Sequence, residues 1–168
     1  FGKHNVLVFT MGTGGDPADP ATGFALEDTI SNVGCVSRDA IVNIGSDVLF
    51  VDYTGVRSIG RTIQERSSPM GNLTNKIRTE ISAVITNTSD KRTIKMEYDI
   101  NNNFVLILFG LEGLAYCLDM KSYIDQQMAK VTRWTDCFFL DMTFIEDQSG
   151  PQLYLGGNGS NGFLKYNG

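Results

Sequence analysis

A short phrase recurs along the chain: an apolar strand, a tight polar or glycine-containing turn, and a second apolar strand. It begins at Val6, Val48 and Val105 and returns in weaker form at Leu153, so the starts lie 42, 57 and 48 residues apart. Repeats of roughly 40–50 residues built from short strands are typical of propeller blades, because each small sheet must bury its faces against the next. The repeat therefore predicts a mainly all-β fold of β-propeller-like blades made of short antiparallel strands.

Composition agrees with a turn-rich β fold and excludes several kinds of partner. The 18 glycines among 168 residues exceed the usual share of about 7%. A net charge of −5 argues against broad binding to nucleic-acid phosphates, which needs a dense Lys/Arg surface. No apolar run reaches the roughly 18–20 residues needed to cross a bilayer. We therefore expect no membrane-spanning segment and no specific binding of DNA.

The number of repeats bears on domain organisation. A closed propeller has about four to eight blades of four strands each. The chain carries three to four copies of the phrase, so we expect residues 1–168 to form a single β-propeller fragment of about three to four partial blades, belonging to a larger propeller.

The first half of the chain contains three segments with clear local patterns. Residues 4–11 form a continuous apolar run, which predicts a fully buried strand, and a breaker-rich loop follows at 12–20. Residues 33–36 predict a short strand. Residues 41–53 predict a hairpin with Gly45 near its tip, followed by a strand over 56–59.

Residues 72–86 interrupt the β pattern. Leu73, Ile77, Ile81 and Ile85 recur at helical spacing between polar residues, and Asn72 is a suitable N-cap. We predict a helical insertion near 72–86 on a blade-connecting loop.

The second half of the chain returns to strands. They are predicted over 95–100, 104–109, 114–118, 131–135, 137–145, 152–155 and 162–166. The pair around residues 110–113 is the clearest hairpin.

Residues with reactive side chains form no recognisable catalytic pattern. His4 is the one histidine, and no Gly-x-Ser-x-Gly elbow accompanies it, so we interpret it as a polar residue flanking a strand. Cys35, Cys117 and Cys137 lack metal-ligand spacing, and the last two are expected to be small buried side chains. We predict no catalytic, cofactor-binding or metal-binding residues, no cofactor and no enzymatic activity.

Acidic and aromatic residues leave one alternative open. Some glycosidases are propellers that use two carboxylates across a central pocket. The chain has several neighbouring acids, Asp47 and Asp52, Asp136 and Asp141, and Glu146 and Asp147, but the sequence gives no distance between them and so does not establish a pair. The default interpretation is that these acids are solvated turn residues. Seven aromatic residues on apolar strands are expected to lie in the blade core: Phe104, Phe109, Tyr116, Trp134, Phe138, Phe139 and Phe144.

Residues 33–59 carry a more specific pattern. They include NIGSDVLFV at 43–51 and GVRSI at 55–59, followed by QER at 64–66 and the predicted helix. With the later segments NNNFVL at 101–106, GLAYCLDM at 113–120 and VTRW at 131–134, this stretch resembles the propeller of tail nozzle proteins (tail tubular protein B) of short-tailed bacteriophages.

The resemblance implies a structural role in the virion. Such proteins form a sixfold ring below the portal and adaptor, and the ring encloses the channel through which DNA leaves. The expected partners are therefore other copies in a homo-hexameric ring, other tail proteins such as the adaptor and fibres, and DNA that passes without specific binding. The expected location is the phage tail. The alternative is a carbohydrate- or protein-binding β-propeller, such as a host-surface adhesin or a glycosidase-like protein.

Overall fold

The structure is a computed structural model that describes residues 1–11, 23–65, 73–121, 129–148, 150–157 and 162–166. These residues are mostly β and form four small antiparallel sheets, with two α-helices between the fifth and sixth strands along the chain. In chain order the elements are β1 (Asn5–Met11), β2 (Phe24–Ser31), β3 (Ile41–Asn43), β4 (Val48–Asp52), β5 (Gly55–Ser58), α1 (Ile59–Glu65), α2 (Arg78–Asn87), β6 (Ile94–Asp99), β7 (Phe104–Phe109), β8 (Leu114–Asp119), β9 (Lys130–Thr135), β10 (Phe139–Asp147), β11 (Gly150–Gly157) and β12 (Phe163–Lys165).

The largest sheet is a four-stranded meander in which β6, β7, β8 and β9 pair in sequence order. We call it the second sheet. All six residues of β7 are buried, as a strand covered on both faces requires, and such strands appear in sequence as continuous apolar runs. Because side chains alternate along a strand, Val105, Ile107 and Phe109 enter one core, while Phe104, Leu106 and Leu108 enter another.

Two three-stranded sheets lie on these two faces. The first sheet (β3–β4–β5) and α2 share the first core with the second sheet, whereas the third sheet (β10–β11–β12) shares the second core with it. The predicted hairpin around Gly45 is confirmed: Ile41 pairs with Phe50, and Gly45 has a φ of 89° at the turn. The hairpin at 110–113 is also confirmed, with Phe109 opposite Leu114.

The first strands of the three sheets are neighbours. β6 contacts both β3 and β10, although no ladder joins them. A backbone hydrogen bond of 2.9 Å from Met96 N–H to the carbonyl of Asp39 fixes β6 against the turn that precedes β3. Gly110, after β7, lets the backbone of the second sheet approach that of the third sheet closely, since a Cβ at this position would overlap the carbonyl oxygen of Phe139.

The predicted helical insertion is confirmed in position but begins later than expected. α2 starts at Arg78, after a 3-10 turn over Asn75–Ile77, and its N-cap residue Ile77 makes no capping hydrogen bond through its side chain. The proposed cap Asn72 lies outside the described residues. The helix α1 was not predicted: the expected strand over 56–59 ends at Ser58, where the chain turns helical.

Residues 73–87, which include the 3-10 turn and α2 and which we call the helical segment, cover β5, the outer edge strand of the first sheet. Leu73 donates its N–H to the carbonyl of Val56 at 2.8 Å, and Thr74 Oγ1 accepts from the N–H of Val56 at 3.1 Å. Ile81 and Ile85 of α2 are fully buried in the first core. The segment therefore satisfies backbone groups of β5 that a fourth strand would otherwise satisfy.

Two predictions for the N-terminal part are wrong. β1 is not fully buried: it pairs with β2 alone in the described part of the chain, and Leu7 and Phe9 are 42% and 51% exposed. A continuous apolar run therefore does not by itself mean burial on two faces. Residues 33–36 are buried but form no strand, because Cys35 N–H bonds to Gly2 and Val36 N–H bonds to Val51, two different segments. The loop predicted at 12–20 lies outside the described residues.

A buried ion pair holds the turn between β4 and β5. Arg57 Nε lies 3.1 Å from Asp52 Oδ2, and the two side chains are only 4% and 5% exposed. The same carboxylate accepts hydrogen bonds from the Thr54 hydroxyl at 2.6 Å and from Gly34 N–H at 3.3 Å. Such multiple bonding is what a charge needs in order to be stable away from water.

We predict that Arg57→Leu lowers the free energy of unfolding by about 3–5 kcal/mol, because it leaves the buried charge of Asp52 without its cation. Urea denaturation followed by circular dichroism measures this. The matched control is Arg92→Leu, whose side chain is 89% exposed in its pair with Asp90 and should give no measurable change. Equal effects of the two substitutions would contradict a special role for the buried pair.

Candidate functional site

An open cleft of about 430 Å³ lies where the first strands of the three sheets meet. It takes residues from the turn before β3, from β6 and from β10, and so it exists only when all three sheets are assembled. Its lining is Arg38, Asp39, Ile41, Lys95, Met96, Glu97, Asp141, Met142 and Thr143.

Strand alternation determines which side chains face the cleft. On β6, Ile94 and Met96 are buried, whereas Lys95 and Glu97 are half-buried and lie on the opposite face of the strand. On β10, Asp141 and Thr143 are exposed on either side of buried Met142. The period of two thus brings charged side chains from separate sheets to one edge.

Lys95 joins the three sheets electrostatically. Its Nζ lies 2.9 Å from Asp39 Oδ2 and 3.3 Å from Asp141 Oδ1. The hydrogen bond from Lys95 lowers the pKa of Asp39, with a smaller effect from Arg38. The hydrogen bond to Asp39 in turn raises the pKa of Lys95 above its ordinary value of 10.5. Both shifts favour the charged forms, which hold the sheet edges together.

Glu97 behaves differently from its neighbours. Burial raises its pKa, the charge of Asp141 adds to the increase, and a hydrogen bond with the backbone of Phe144 partly opposes it. A glutamate with a raised pKa beside an aspartate is one half of what a glycosidase uses. However, both Asp39 and Asp141 are held by one ammonium group, an arrangement more typical of a clamp than of a proton-transfer pair.

Among the described residues that line the cleft, none is a histidine, a cysteine, a serine or an aromatic residue. A sugar site would normally present an aromatic face together with its carboxylates. In the described ranges, no group of three His, Cys, Asp or Glu side chains is placed to hold a metal ion.

The histidine and cysteines named from sequence are dispersed. The ring of His4 stacks on Tyr53 with centroids 5.5 Å apart, beside the start of β1, as a strand-flanking residue. Cys137 is buried as predicted, while Cys117 is only half-buried. Burial raises the pKa of the Cys117 thiol to about 11, so it is a poor nucleophile at neutral pH.

The default that the named acids are solvated turn residues is wrong for Asp52, which is 3% exposed. Asp99, which the sequence analysis did not single out, is also buried, with 2% of its surface exposed. Asp99 caps the following turn, because its Oδ1 accepts from the N–H groups of Asn101 and Asn102. The signal available in the sequence was an acid placed at the end of a buried strand, directly before a tight turn.

The candidate carboxylate pairs do not share partners. Asp47 bonds to the Ser58 hydroxyl and to Gly60 N–H, whereas Asp52 bonds to Arg57. Asp136 is an exposed residue with a φ of 61°, while Asp141 contacts Lys95. Sequence reasoning missed the cluster of Lys95, Asp39 and Asp141, since no local spacing connects residues that far apart.

The aromatic residues are mostly in the core, as predicted, with one exception. Phe104, Phe109 and Tyr116 are buried, and Trp134, Phe139 and Phe144 are packed against the second core. Phe138 is 54% exposed, so that prediction was wrong for this position. Trp134 stacks on Tyr166 at 5.8 Å, which ties β9 to the segment after β12 rather than presenting a ligand platform.

Comparison of the chain with protein-family models, with curated proteins and with solved structures finds no match.

Neither α-helix in the described part of the chain has the length and hydropathy needed to span a bilayer.

We predict that Lys95→Met raises the pKa of Asp39 and lowers stability most at neutral pH. The stabilising effect of Asp39 is present above its ordinary pKa of 3.8 and is lost as the pH falls through its lower folded-state pKa. The stabilising effect of Lys95 is present below its ordinary pKa of 10.5 and is lost as the pH rises through its raised folded-state pKa. The difference from wild type should therefore shrink in strong acid and in strong base.

Carboxyl NMR titration and urea denaturation across this pH range measure both effects. Lys76→Met, at an exposed lysine of the 3-10 turn over Asn75–Ile77, is the matched control and should leave the pH profile unchanged. A constant difference between Lys95→Met and wild type at every pH would show that charge plays no part.

Proposed function

We propose that this chain is a structural component of the tail nozzle of a short-tailed bacteriophage, and that it acts by assembly rather than catalysis. In this proposal the three sheets are propeller blades, and copies of the protein form a ring around the channel through which DNA leaves. The observation that carries the proposal is that consecutive sheets pack face to face in sequence order with their first strands adjacent.

That packing is what blades require. In a propeller each sheet buries both faces against its neighbours, and strand β7 of the second sheet is buried on both sides here. The first strands β3, β6 and β10 would then be the innermost strands, and the charged cleft would lie at the inner end of the blades.

The residues that carry the family resemblance make contacts that stabilise the fold. In the phrase over 43–59, Asp47 bonds to Ser58, and Arg57 pairs with Asp52. These are contacts that hold a hairpin and its flanking turn together. A sequence motif whose residues make such contacts supports a relationship in fold and assembly rather than in catalytic chemistry.

The charge of the cleft supports passage of DNA without adhesion. Three carboxylates, on Asp39, Glu97 and Asp141, face Lys95 and the exposed Arg38. An acidic balance repels phosphates, whereas adhesion to DNA needs unpaired cations.

The alternative is a carbohydrate- or protein-binding propeller, glycosidase-like or adhesin-like. The observation that favours it is a cleft holding two carboxylates on either side of Lys95. None of the described residues that line this cleft is aromatic, which weighs against sugar binding. We therefore rank this function second.

The test of the proposed function is the native mass of the protein at its full natural length, measured by light scattering, with electron-microscope class averages of the same sample. We expect a ring with an axial hole, formed alone or after addition of the other tail proteins. A particle that stays monomeric with those partners present would contradict the proposal, and glycan-array binding by that monomer would favour the alternative.

A second prediction concerns the cleft. Asp141→Lys/Thr143→Lys adds two cations on β10 while keeping the contact between Lys95 and Asp39. If the cleft faces the channel, this variant should bind duplex DNA in fluorescence anisotropy, with an affinity that falls steeply as salt increases.

The matched control is Glu112→Lys/Thr132→Lys, which makes the same change in net charge at exposed positions outside the cleft. Wild type and control should bind DNA weakly. Equal binding by the two lysine variants would show that the cleft has no special position relative to DNA.

A further inference from the structure

The charged cleft contains one acid that has no cation of its own. Lys95 contacts Asp39 and Asp141, and Arg38 Nε lies 3.1 Å from Asp39 Oδ1. In the described part of the chain, Glu97 takes part in no ion pair. Both cations of the lining are thus engaged by other carboxylates.

Glu97 lies where the second and third sheets meet. It is half-buried on β6, on the same face of the strand as Lys95, and β6 contacts β10 of the third sheet. The Glu97 carboxylate forms a hydrogen bond with the backbone of Phe144 on β10, and the charge of Asp141 on the same strand acts on it. We call the contact between β6 and β10 at Glu97 the β6–β10 joint.

The charged form of Glu97 opposes closure of the β6–β10 joint. Removing a carboxylate from water costs free energy unless a cation or several hydrogen bonds compensate for the loss. Here a single backbone hydrogen bond compensates, while burial and the charge of Asp141 raise the pKa of Glu97 above its ordinary value of 4.5. Protonation removes both the desolvation cost of the charge and the repulsion from Asp141.

The charged groups that face Glu97 come from three elements: Arg38 and Asp39 from the turn before β3, Lys95 from β6, and Asp141 from β10. On β7, the residue opposite Glu97 is the uncharged Leu106. The pKa of Asp39 is lowered from 3.8 and that of Lys95 is raised from 10.5, so both keep their charges in mild acid and at neutral pH. Protonation of Glu97 therefore leaves the contact between Lys95 and Asp39 intact.

We propose that Glu97 is a proton-operated switch at the β6–β10 joint, which opens more readily when Glu97 is charged and closes more firmly when Glu97 takes up a proton. The stabilising effect of protonated Glu97 is fully present below its ordinary pKa of 4.5 and is lost as the pH rises through the raised folded-state pKa. The switch thus acts above pH 4.5, whereas Asp39 loses its charge below 3.8. It operates within one copy of the chain and does not rest on the proposed function.

Two native cysteines report separately on the two cores. Cys137 is buried in the second core, which the second and third sheets share, and Cys35 is buried in the first core. Opening of the β6–β10 joint should expose Cys137 and leave Cys35 protected. Because thiol reactivity depends on the thiolate fraction and hence on pH, each labelling rate is expressed relative to that of the same cysteine in urea-unfolded protein at the same pH.

Labelling of the full-length protein with dithiodipyridine, from about pH 8 down to pH 4.5, tests the switch, with peptide mass spectrometry to assign the cysteines. In the wild type, Cys137 should be labelled about threefold or more slowly at the acidic end, with no such change at Cys35. Glu97→Gln, which mimics the protonated acid, should give slow labelling of Cys137 over the whole range. An equal pH dependence in this variant and the wild type would overturn the proposal, as would parallel changes at the two cysteines.

Glu146→Gln is the matched control, because Glu146 is an exposed acid on β10 that is not among the residues lining the cleft. This variant should keep the pH dependence of the wild type. His4 is present in all three proteins, so any effect of its protonation cancels in the comparison. Loss of the pH dependence in Glu146→Gln as well would show that the total charge of the chain governs the joint, and would overturn the role of Glu97.

A measurement on the wild type alone keeps the test valid if circular dichroism shows that Glu97→Gln folds poorly. Carboxyl NMR should find that Glu97 titrates above pH 4.5, and the change in Cys137 labelling should occur between 4.5 and that midpoint. A Glu97 midpoint at or below 4.5 would overturn the proposal. So would a change in Cys137 labelling confined to pH values above the midpoint.

Discussion

Burial of β7 on both faces is the constraint on which the rest of the structure depends. Six consecutive large side chains have no exposed face, so a layer must cover each side of the second sheet. The first sheet with α2 covers one side and the third sheet covers the other. The three sheets are therefore stacked in their order along the chain, and β3, β6 and β10 are brought together at one edge. The charged cleft is a consequence of that convergence.

Polar contacts then fix what apolar burial leaves undetermined. Apolar packing sets which faces meet, but it has little directional preference. Lys95 contacts carboxylates before β3 and on β10, and so favours one alignment of the three first strands. At the other end of the second sheet, Glu80 of α2 accepts from the Tyr116 hydroxyl at 2.9 Å and pairs with Arg133 at 3.2 Å. Each contact joins elements that are distant in sequence.

Local signals predicted local structure well, and they failed where distant segments decide. The hairpins around Gly45 and residues 110–113 follow from apolar runs on either side of a turn, which is information held in about a dozen residues. The exposed face of β1 could not be predicted, because the same run is buried or exposed depending on whether another layer covers it. The cleft could not be predicted either, since Asp39, Lys95 and Asp141 lie more than 40 residues apart in sequence. By contrast, the buried pair of Asp52 and Arg57 had a local signal: opposite charges flanking a tight turn between apolar strands.

Under the proposed function, the charged residues of the cleft would both hold the three sheets together and keep DNA from adhering to the protein. Lys95 is engaged by two carboxylates, so this lysine would not be presented as a free cation to passing phosphates. Catalysis would require one of these groups to be released at the moment of reaction, and a clamp requires the opposite. The contacts of Lys95 with Asp39 and Asp141 therefore have the geometry of a clamp between sheets, as the proposed structural role requires.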